Sequence, residues 1–300
     1  VGGGWQDGRM PERPEVQGLV DYLDDRLTKR TITKATVASI AALKTFDPPI
    51  HALVGAEVRA VTRHGKFVDI LTVTASDEDV HLIFHLAKAG WLRWYDTLPT
   101  TVIKPGRTPI ALRIAFDDGS GFDLTEAGTK KSLAVYVTRD PQTVPGIARL
   151  GPDPLYPPLG LEQFRALRAG RRTQIKGLLR DQSIIGGIGN AYSDEILHAA
   201  KLSPYAIAAT LGEEETARLH QAMIDTLTTA ISVASGKPPA ELKDAIRAGM
   251  NVHAQAGKPC PVCGDTVRSV FFADRSLEYC PTCQTGGKPL ADRRLSRLLK

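Results

Sequence analysis

Cys260-Pro261-Val262-Cys263, then sixteen residues, then Cys280-Pro281-Thr282-Cys283 is the stretch from which the rest of the chain can be read. Each Cys-x2-Cys pair bends round a tight turn that points two thiolates inward, and two such turns complete a tetrahedral zinc site. All four ligands belong to the protein, so one structural Zn2+ is expected, with no open position for a water. Between the pairs, 267–272 and 277–279 alternate in the manner of a β-hairpin. No cysteine occurs elsewhere in the chain. Such clustering argues for a metal, because dispersed structural disulfides belong to oxidising compartments. The finger and a Lys/Arg-rich tail from 288 to 300 make a C-terminal segment over 251–300.

Working back from the finger, the pattern is helical to about residue 160. Helices are predicted near 161–169, 172–180, 190–200, 213–235 and 239–247, the fourth carrying Leu219, Met223, Leu227, Ala230 and Ile231 on one face. Leu150-Gly151-Pro152-Asp153-Pro154-Leu155, with Pro157 and Pro158 behind it, is a stiff connector and the clearest boundary. Before it the texture is β-branched and broken by turns. Strands are predicted near 31–38, 57–63, 66–73, 81–87, 110–116, 121–125 and 132–138, with Asp118-Gly119 as a hairpin turn. A run of antiparallel strands this long suggests a sandwich or barrel. Val16, Leu19, Val20, Leu23 and Leu27 recur at helical spacing, so a leading helix begins around Pro14. The expected organisation is a flexible lead at 1–9, a β-rich domain at 10–145, a helical domain at 146–250 and the finger.

Hydrophobic residues make up 42% of the 300 and charged residues 24%, which suits a soluble chain able to bury two moderate cores. The longest apolar runs are strand-sized, so no membrane span is expected. The N-terminus lacks a signal-peptide pattern, and a cytosolic location is expected. A net charge of +5 is compatible with a polyanionic partner without requiring one. No heptad stripe appears, and a monomer is expected.

Three further constellations could carry chemistry. Ser183 to Tyr192, SIIGGIGNAY, is a glycine-rich turn entering a helix, where backbone N–H groups and the positive helix end can approach a phosphate. Asn190 stands there as a cap residue or as an amide gripping the same phosphate. Lys176, one helix earlier, either projects to that phosphate or is a solvated surface charge. Met10-Pro11-Glu12 forms the second. If translation starts at Met10 and the methionine is removed, Pro11 carries a secondary amine that titrates near pH 8. Such an amine attacks the C1′ carbon of a sugar to form an iminium, and Glu12 can move the protons. The plain alternative is a proline ahead of a helix. The third is Thr62-Arg63-His64-Gly65-Lys66-Phe67, a basic turn between strands that either serves a cleft or is an ordinary hairpin.

In order along the chain, Met-Pro-Glu-x-Pro-Glu-Val, the Gly-Lys turn, the Leu-Gly-Pro-Asp-Pro-Leu connector, Lys-x-Leu-Leu-x-Asp-Gln, Gly-Ile-Gly-Asn-x-Tyr-x-Asp-Glu and a finger ending Tyr-Cys-Pro-x-Cys-Gln resemble the formamidopyrimidine-DNA glycosylase and endonuclease VIII family. The resemblance spans Met10 to Gln284. It implies an α+β fold: an N-terminal antiparallel β-sandwich with a leading helix, then a helix–two-turn–helix domain bearing a β-hairpin zinc finger. It implies base excision from damaged, oxidised double-stranded DNA with one nucleotide flipped out of the duplex, followed by lyase cleavage. Pro11 matches the family's nucleophile and Glu12 its adjacent acid. Lys66 matches the lysine that contacts phosphate and assists elimination, and Arg275 the finger arginine that grips flanking phosphates. Lys176 and Asn190 match phosphate-binding positions, and Glu15, Gly187 and Gly189 fall in the same motifs at the DNA.

Two departures stand out. Lys88, in Phe84 to Gly90, replaces a methionine that fills the gap left by the flipped base in many relatives, so a cation stands where an apolar wedge is usual. The stretch 125–132 lacks the aromatic of the relatives' wedge loop, leaving Lys130 and Lys131 as candidates to substitute. Two rivals compete with catalysis. A non-catalytic damaged-DNA-binding protein would need no nucleophile beside an acid. A zinc-ribbon interaction factor would explain only 251–300.

Overall fold

The computed structural model describes residues 10–104, 106, 108–127, 130–272 and 275–291, without the side chains of 272 and 275. The lead at 1–9, Gly128, Thr129 and most of the basic tail lie outside the described residues.

Two prolines and a reciprocal carboxylate start the first helix, α1 (Arg13–Leu27), where the Glu12 amide donates to Glu15 Oε2 at 3.1 Å. Its apolar stripe is fully used: Leu19, Leu23 and Leu27 have no exposed surface. Eight strands follow: β1 (Ile32–Val37), β2 (Glu57–His64), β3 (Phe67–Val73), β4 (Asp79–His85), β5 (Gly90–Tyr95), β6 (Ile110–Phe116), β7 (Gly121–Glu126) and β8 (Ala134–Thr138). They form two antiparallel sheets, ordered β1-β6-β7-β5 and β2-β3-β4-β8. Phe84 of one sheet meets Phe122 of the other with ring centroids 6.2 Å apart, the aromatic centre of the sandwich. β7 is buried along its whole length, so its Asp123 needs a partner. Arg113 on β6 supplies one in a two-pronged pair, at 2.7 and 2.8 Å.

The seven predicted strands are present. β5 is an eighth that the strand pattern missed, and the strand expected near 81–87 stops at His85. The chain reverses there through 86–89, with Gly90 N donating to Leu86 O at 2.9 Å. A Cβ on Gly90 would stand 2.1 Å from that carbonyl oxygen, so only glycine permits this approach.

Beyond the sheets lie α2 (Pro145–Ala148), α3 (Leu161–Arg168), α4 (Ile175–Arg180), α5 (Asn190–Ala199), α6 (Glu213–Ala234) and α7 (Pro239–Ala248). The finger adds β9 (Arg268–Phe272), β10 (Arg275–Tyr279) and α8 (Pro281–Thr285). Two compact units result: Val1–Arg149 with Ala234–Lys243, and Leu150–Val233 with Asp244–Lys300. The helical segment and the finger therefore share one unit, and the start of α7 belongs with the β-rich one, where Trp91 Nε1 donates to Pro239 O at 3.0 Å. Among the described residues no helix is long and apolar enough to cross a membrane.

Candidate functional site

In the N-terminal unit the register gathers the singled-out residues at one end of a sheet. His64 pairs with Phe67, Phe67 with His85, and His85 with Ala134. The Gly65-Lys66 turn, the 86–89 turn with Lys88 and the described residues between β7 and β8, Lys130 and Lys131 among them, therefore sit side by side. The last two touch through Ala127 N to Ala89 O, 3.1 Å. The two-residue turn needs a positive φ at its first position, and Gly65 supplies it at 56°. Arg63 braces the turn, donating from NH1 to Gly65 O at 2.7 Å and from Nε to Gln17 Oε1 of α1 at 3.1 Å. The start of α1 and the lysine turn are thereby held together.

Pro11 and Glu12 are buried there, and Lys66 is buried with them. Burial, with the neighbouring Glu12 carboxylate, raises Glu15 to about 7, against the pull of Lys66. Burial, with the charge of Lys66, lowers His85 to about 4, so its imidazole is neutral at pH 7. The ring accepts from Ala87 N at Nδ1, 3.2 Å, which leaves the proton on Nε2. A carboxyl near neutrality, a second acid, a buried cation and a neutral imidazole thus surround the helix start. Lys88 and Lys130 are exposed, and Lys131, also exposed, folds back to donate to Glu126 O at 2.6 Å. The Glu126 carboxylate organises that loop by accepting from Ser132 N and Leu133 N.

In the C-terminal unit the glycine-rich turn is less open than expected. Gly187 N donates to Gln182 Oε1 at 2.9 Å, and Gly186 N to Pro152 O at 3.0 Å. Both amides are engaged inside the unit, Gly187 N by the Gln182 side chain and Gly186 N by the 150–152 connector that packs on the turn. A Cβ on Gly151 would stand 2.4 Å from Ile184 O. Gly189, in extended backbone, is the cap of α5, so Asn190 is the first helical residue and not the cap. Its Nδ2 donates to Ser276 O of the finger at 2.9 Å. Lys176 is no solvated charge. It is buried, with Nζ 3.1 Å from Asn190 O, 2.8 Å from Ser193 Oγ and 2.5 Å from Asp194 Oδ1. Arg275 opens β10 opposite Phe272, and its side chain lies outside the described residues.

The four sulfurs of Cys260, Cys263, Cys280 and Cys283 lie within 4.8 Å of one another, with Cys260–Cys283 at 3.9 Å and Cys263–Cys280 at 3.3 Å. Those separations exceed a disulfide's roughly 2.05 Å. They bracket the roughly 3.8 Å edge of a tetrahedron with Zn–S bonds of about 2.3 Å. The donor set fits one structural zinc.

Sequence models of known families match the chain in three places. They are the formamidopyrimidine-DNA glycosylase N-terminal domain at 10–131, its H2TH domain at 150–238, and the zinc finger found in FPG and IleRS at 257–286. A formamidopyrimidine-DNA glycosylase of Moorella thermoacetica is 33% identical over 87% of this chain and 94% of its own length. The chain belongs to the formamidopyrimidine-DNA glycosylase family. Another family member, from Desulforamulus reducens, is 30% identical over 92% of this chain and 99% of its own. An uncharacterized formamidopyrimidine-DNA glycosylase-like protein of Mycobacterium tuberculosis is 55% identical over 50% of this chain and 94% of its own length. Among solved structures, MutM in complex with DNA containing carbocyclic 8-oxo-G superposes with a TM-score of 0.79 at 25% identity, covering 92% of this chain and 100% of that one. The Lactococcus lactis Fpg with abasic-site DNA gives 0.79 at 25%, covering 91% and 99%. This is a DNA glycosylase family of base excision repair, and the chain carries its zinc finger.

Within that frame the structure reveals a buried polar knot to which the sequence reading assigned no role. His253 Nδ1 lies 2.8 Å from Asp194 Oδ2 and 3.0 Å from Glu278 Oε2. Glu195 accepts from the amides of Asn251, Val252 and His253. Three such ligand types together resemble a metal site, yet Lys176 and a charged His253 already balance the two carboxylates. Burial alone would lower His253, but its bonds to Asp194 and Glu278 outweigh that and hold it at about 9. The same contact, against burial, holds Glu278 near 2. The hint available beforehand was Asp194-Glu195 set within a helix otherwise lined by Ile196 and Leu197.

A raised folded value means that stabilisation is complete below the unfolded 6.5 and lost as pH climbs through about 9. On the order of 3 kcal/mol should disappear over that window. Urea unfolding of the zinc-loaded C-terminal unit at stepped pH should show this decline, and His253→Gln should flatten it. An unchanged slope in that variant would place the titration elsewhere.

Proposed function

We propose that this protein is a bifunctional DNA glycosylase and lyase that acts on damaged bases through the amine of Pro11. The observation that carries the reading is the convergence of buried Glu12 and Lys66 and half-buried Glu15 on the start of α1 beside Pro11. Glu12 and Glu15 also cap the helix, but capping needs no lysine buried beside them and does not call for a carboxyl raised to about 7. Desolvating them costs stability that proton transfer can justify. The DNA-bound structures of MutM and of the Lactococcus lactis enzyme support damaged duplex as the partner.

In this mechanism Pro11 N bonds to C1′ as the glycosidic bond to the damaged base breaks. Glu12 delivers the proton that accompanies ring opening or base departure. The iminium acidifies the C2′ hydrogen. Its removal expels the 3′ phosphate, and cationic Lys66, with Arg275 from the finger, stabilises the departing phosphates. A second elimination at the 5′ side would follow the same logic. Glu15, near neutrality, is suited to relay protons to and from Glu12. The amine must be free: joined to Met10, Pro11 N is an amide and forms no iminium. Asn190 holds phosphate from the C-terminal unit, and Lys176, buried on Asp194 and Asn190 O, braces that turn from beneath in place of the direct phosphate contact expected of it. Lys88, Lys130 and Lys131 stand where the lesion's neighbours would be met, making that end of the sheet cationic.

A chain beginning at Pro11, mixed with duplexes holding one oxidised purine, one oxidised pyrimidine or one abasic site, tests the proposal. Base release from an oxidised duplex and a nick at the abasic site are expected. Tight binding without either product would leave a damage-binding protein of the same fold. Asn190→Ala should weaken binding to every duplex alike while leaving the salt slope nearly unchanged, because the amide carries no charge. A loss confined to particular sequences would show that Asn190 reads bases.

A further inference from the structure

The thiolates of the finger receive a hydrogen bond from outside it. His198, in the last turn of α5, is buried with Nε2 3.3 Å from Cys260 Sγ. A zinc-bound thiolate carries no proton, so it can only accept, and the imidazole must be the donor. Cys260 already draws on the backbone amides of Val262 and Cys263 in its own turn. His198 adds a third donor, and it comes from a different element.

That bond completes a series along one helix. At its first residue α5 holds the finger through Asn190 Nδ2 and Ser276 O. At mid-length Asp194 and Glu195 hold His253 and the segment leading into the finger. At its end His198 reaches the metal ligand itself. Eight residues separate Asn190 from His198, about 12 Å along the axis. Gln284, just past the last cysteine, is fastened to the same unit by Nε2 to Leu202 O, 2.9 Å. We propose that His198 is a positioning residue of the zinc centre, whose Nε2–H···Sγ bond to Cys260 strengthens the hold on zinc and docks the centre on α5. Four thiolates around a divalent ion leave an excess of negative charge, and each donor aimed at sulfur offsets part of it. Partners of this kind in the outer shell of metal sites contribute about 10–100-fold in affinity. An imidazole buried for packing alone would leave its ring nitrogen without this role, and an apolar ring of similar size would serve as well.

The inference stands apart from the glycosylase reading, because its test uses no DNA. Full-length protein, His198→Gln and His198→Leu are loaded with Zn2+ and titrated with a chromogenic chelator. The same three are loaded with Co2+ and their sulfur-to-metal charge-transfer bands recorded. Leucine should lose about 10–100-fold in zinc affinity and shift the band to lower energy. Glutamine, whose amide can still donate, should stay close to the parent in both. Should His198→Leu fail to fold, His198→Asn, with an amide too short to reach, provides the same contrast with glutamine. Equal behaviour of parent and leucine protein, or equal loss in glutamine and leucine proteins, overturns the proposal.

Discussion

Glu12→Gln is expected to slow release of a damaged base by about 10²–10⁴-fold, the usual contribution of a placed general acid. The exchange preserves shape, so the α1 start, with Glu12 N on Glu15 Oε2, should survive. The loss should be smaller on a preformed abasic site, where the base has already gone and only ring opening and loss of water from C1′ still call for a proton. Single-turnover rates on the two substrates separate these cases. The change also removes the carboxylate that helps to raise Glu15, so the Glu15 titration should move below about 7. Equal losses on both substrates would mean that Glu12 acts on the sugar or holds the fold, and not on the departing base.

Stripping the zinc has the second large effect. Structural zinc supplies about 10–16 kcal/mol of apparent binding free energy in finger peptides at neutral pH, so a finger this small does not fold without it. β10 would then be lost, and with it Ser276 O, Glu278 and the backbone that places Arg275. Duplex binding should vanish while the β-rich unit persists. The two described tryptophans, Trp91 and Trp94, both lie in β5, so their fluorescence reports on that unit. Unchanged tryptophan emission with lost binding is the expected result of chelation. Simultaneous loss of both would contradict independent stability of the units.

The sandwich and the finger were legible because their signals are local. Alternation marks a strand within a few residues, and Cys-x2-Cys marks a zinc turn within four. β5 escaped because its alternation is broken: Trp91 and Leu92 are both buried, and the preceding turn depends on a contact between Gly90 and Leu86 O that only a fold reveals. Lys176 could not be resolved for a related reason. A lone lysine on a helix is ambiguous until Asp194 is placed beside it, eighteen positions later. His253 and Glu278 belong to the same knot, and His198 to the zinc centre, across separations of tens of residues. Such long-range polar pairs leave no periodicity. Side-chain identity marked an acid and an amine as a working pair; only the fold showed Lys66 buried beside the first turn of α1.

The free Pro11 amine is the centre of this account, and borohydride trapping on an abasic-site duplex addresses it directly. Chains beginning at Val1 and at Pro11 are compared under identical conditions. A covalent protein–DNA adduct is expected from the Pro11 form alone, because reduction captures an iminium that an amide nitrogen cannot form. No adduct from the Pro11 form, with tight binding intact, would contradict it.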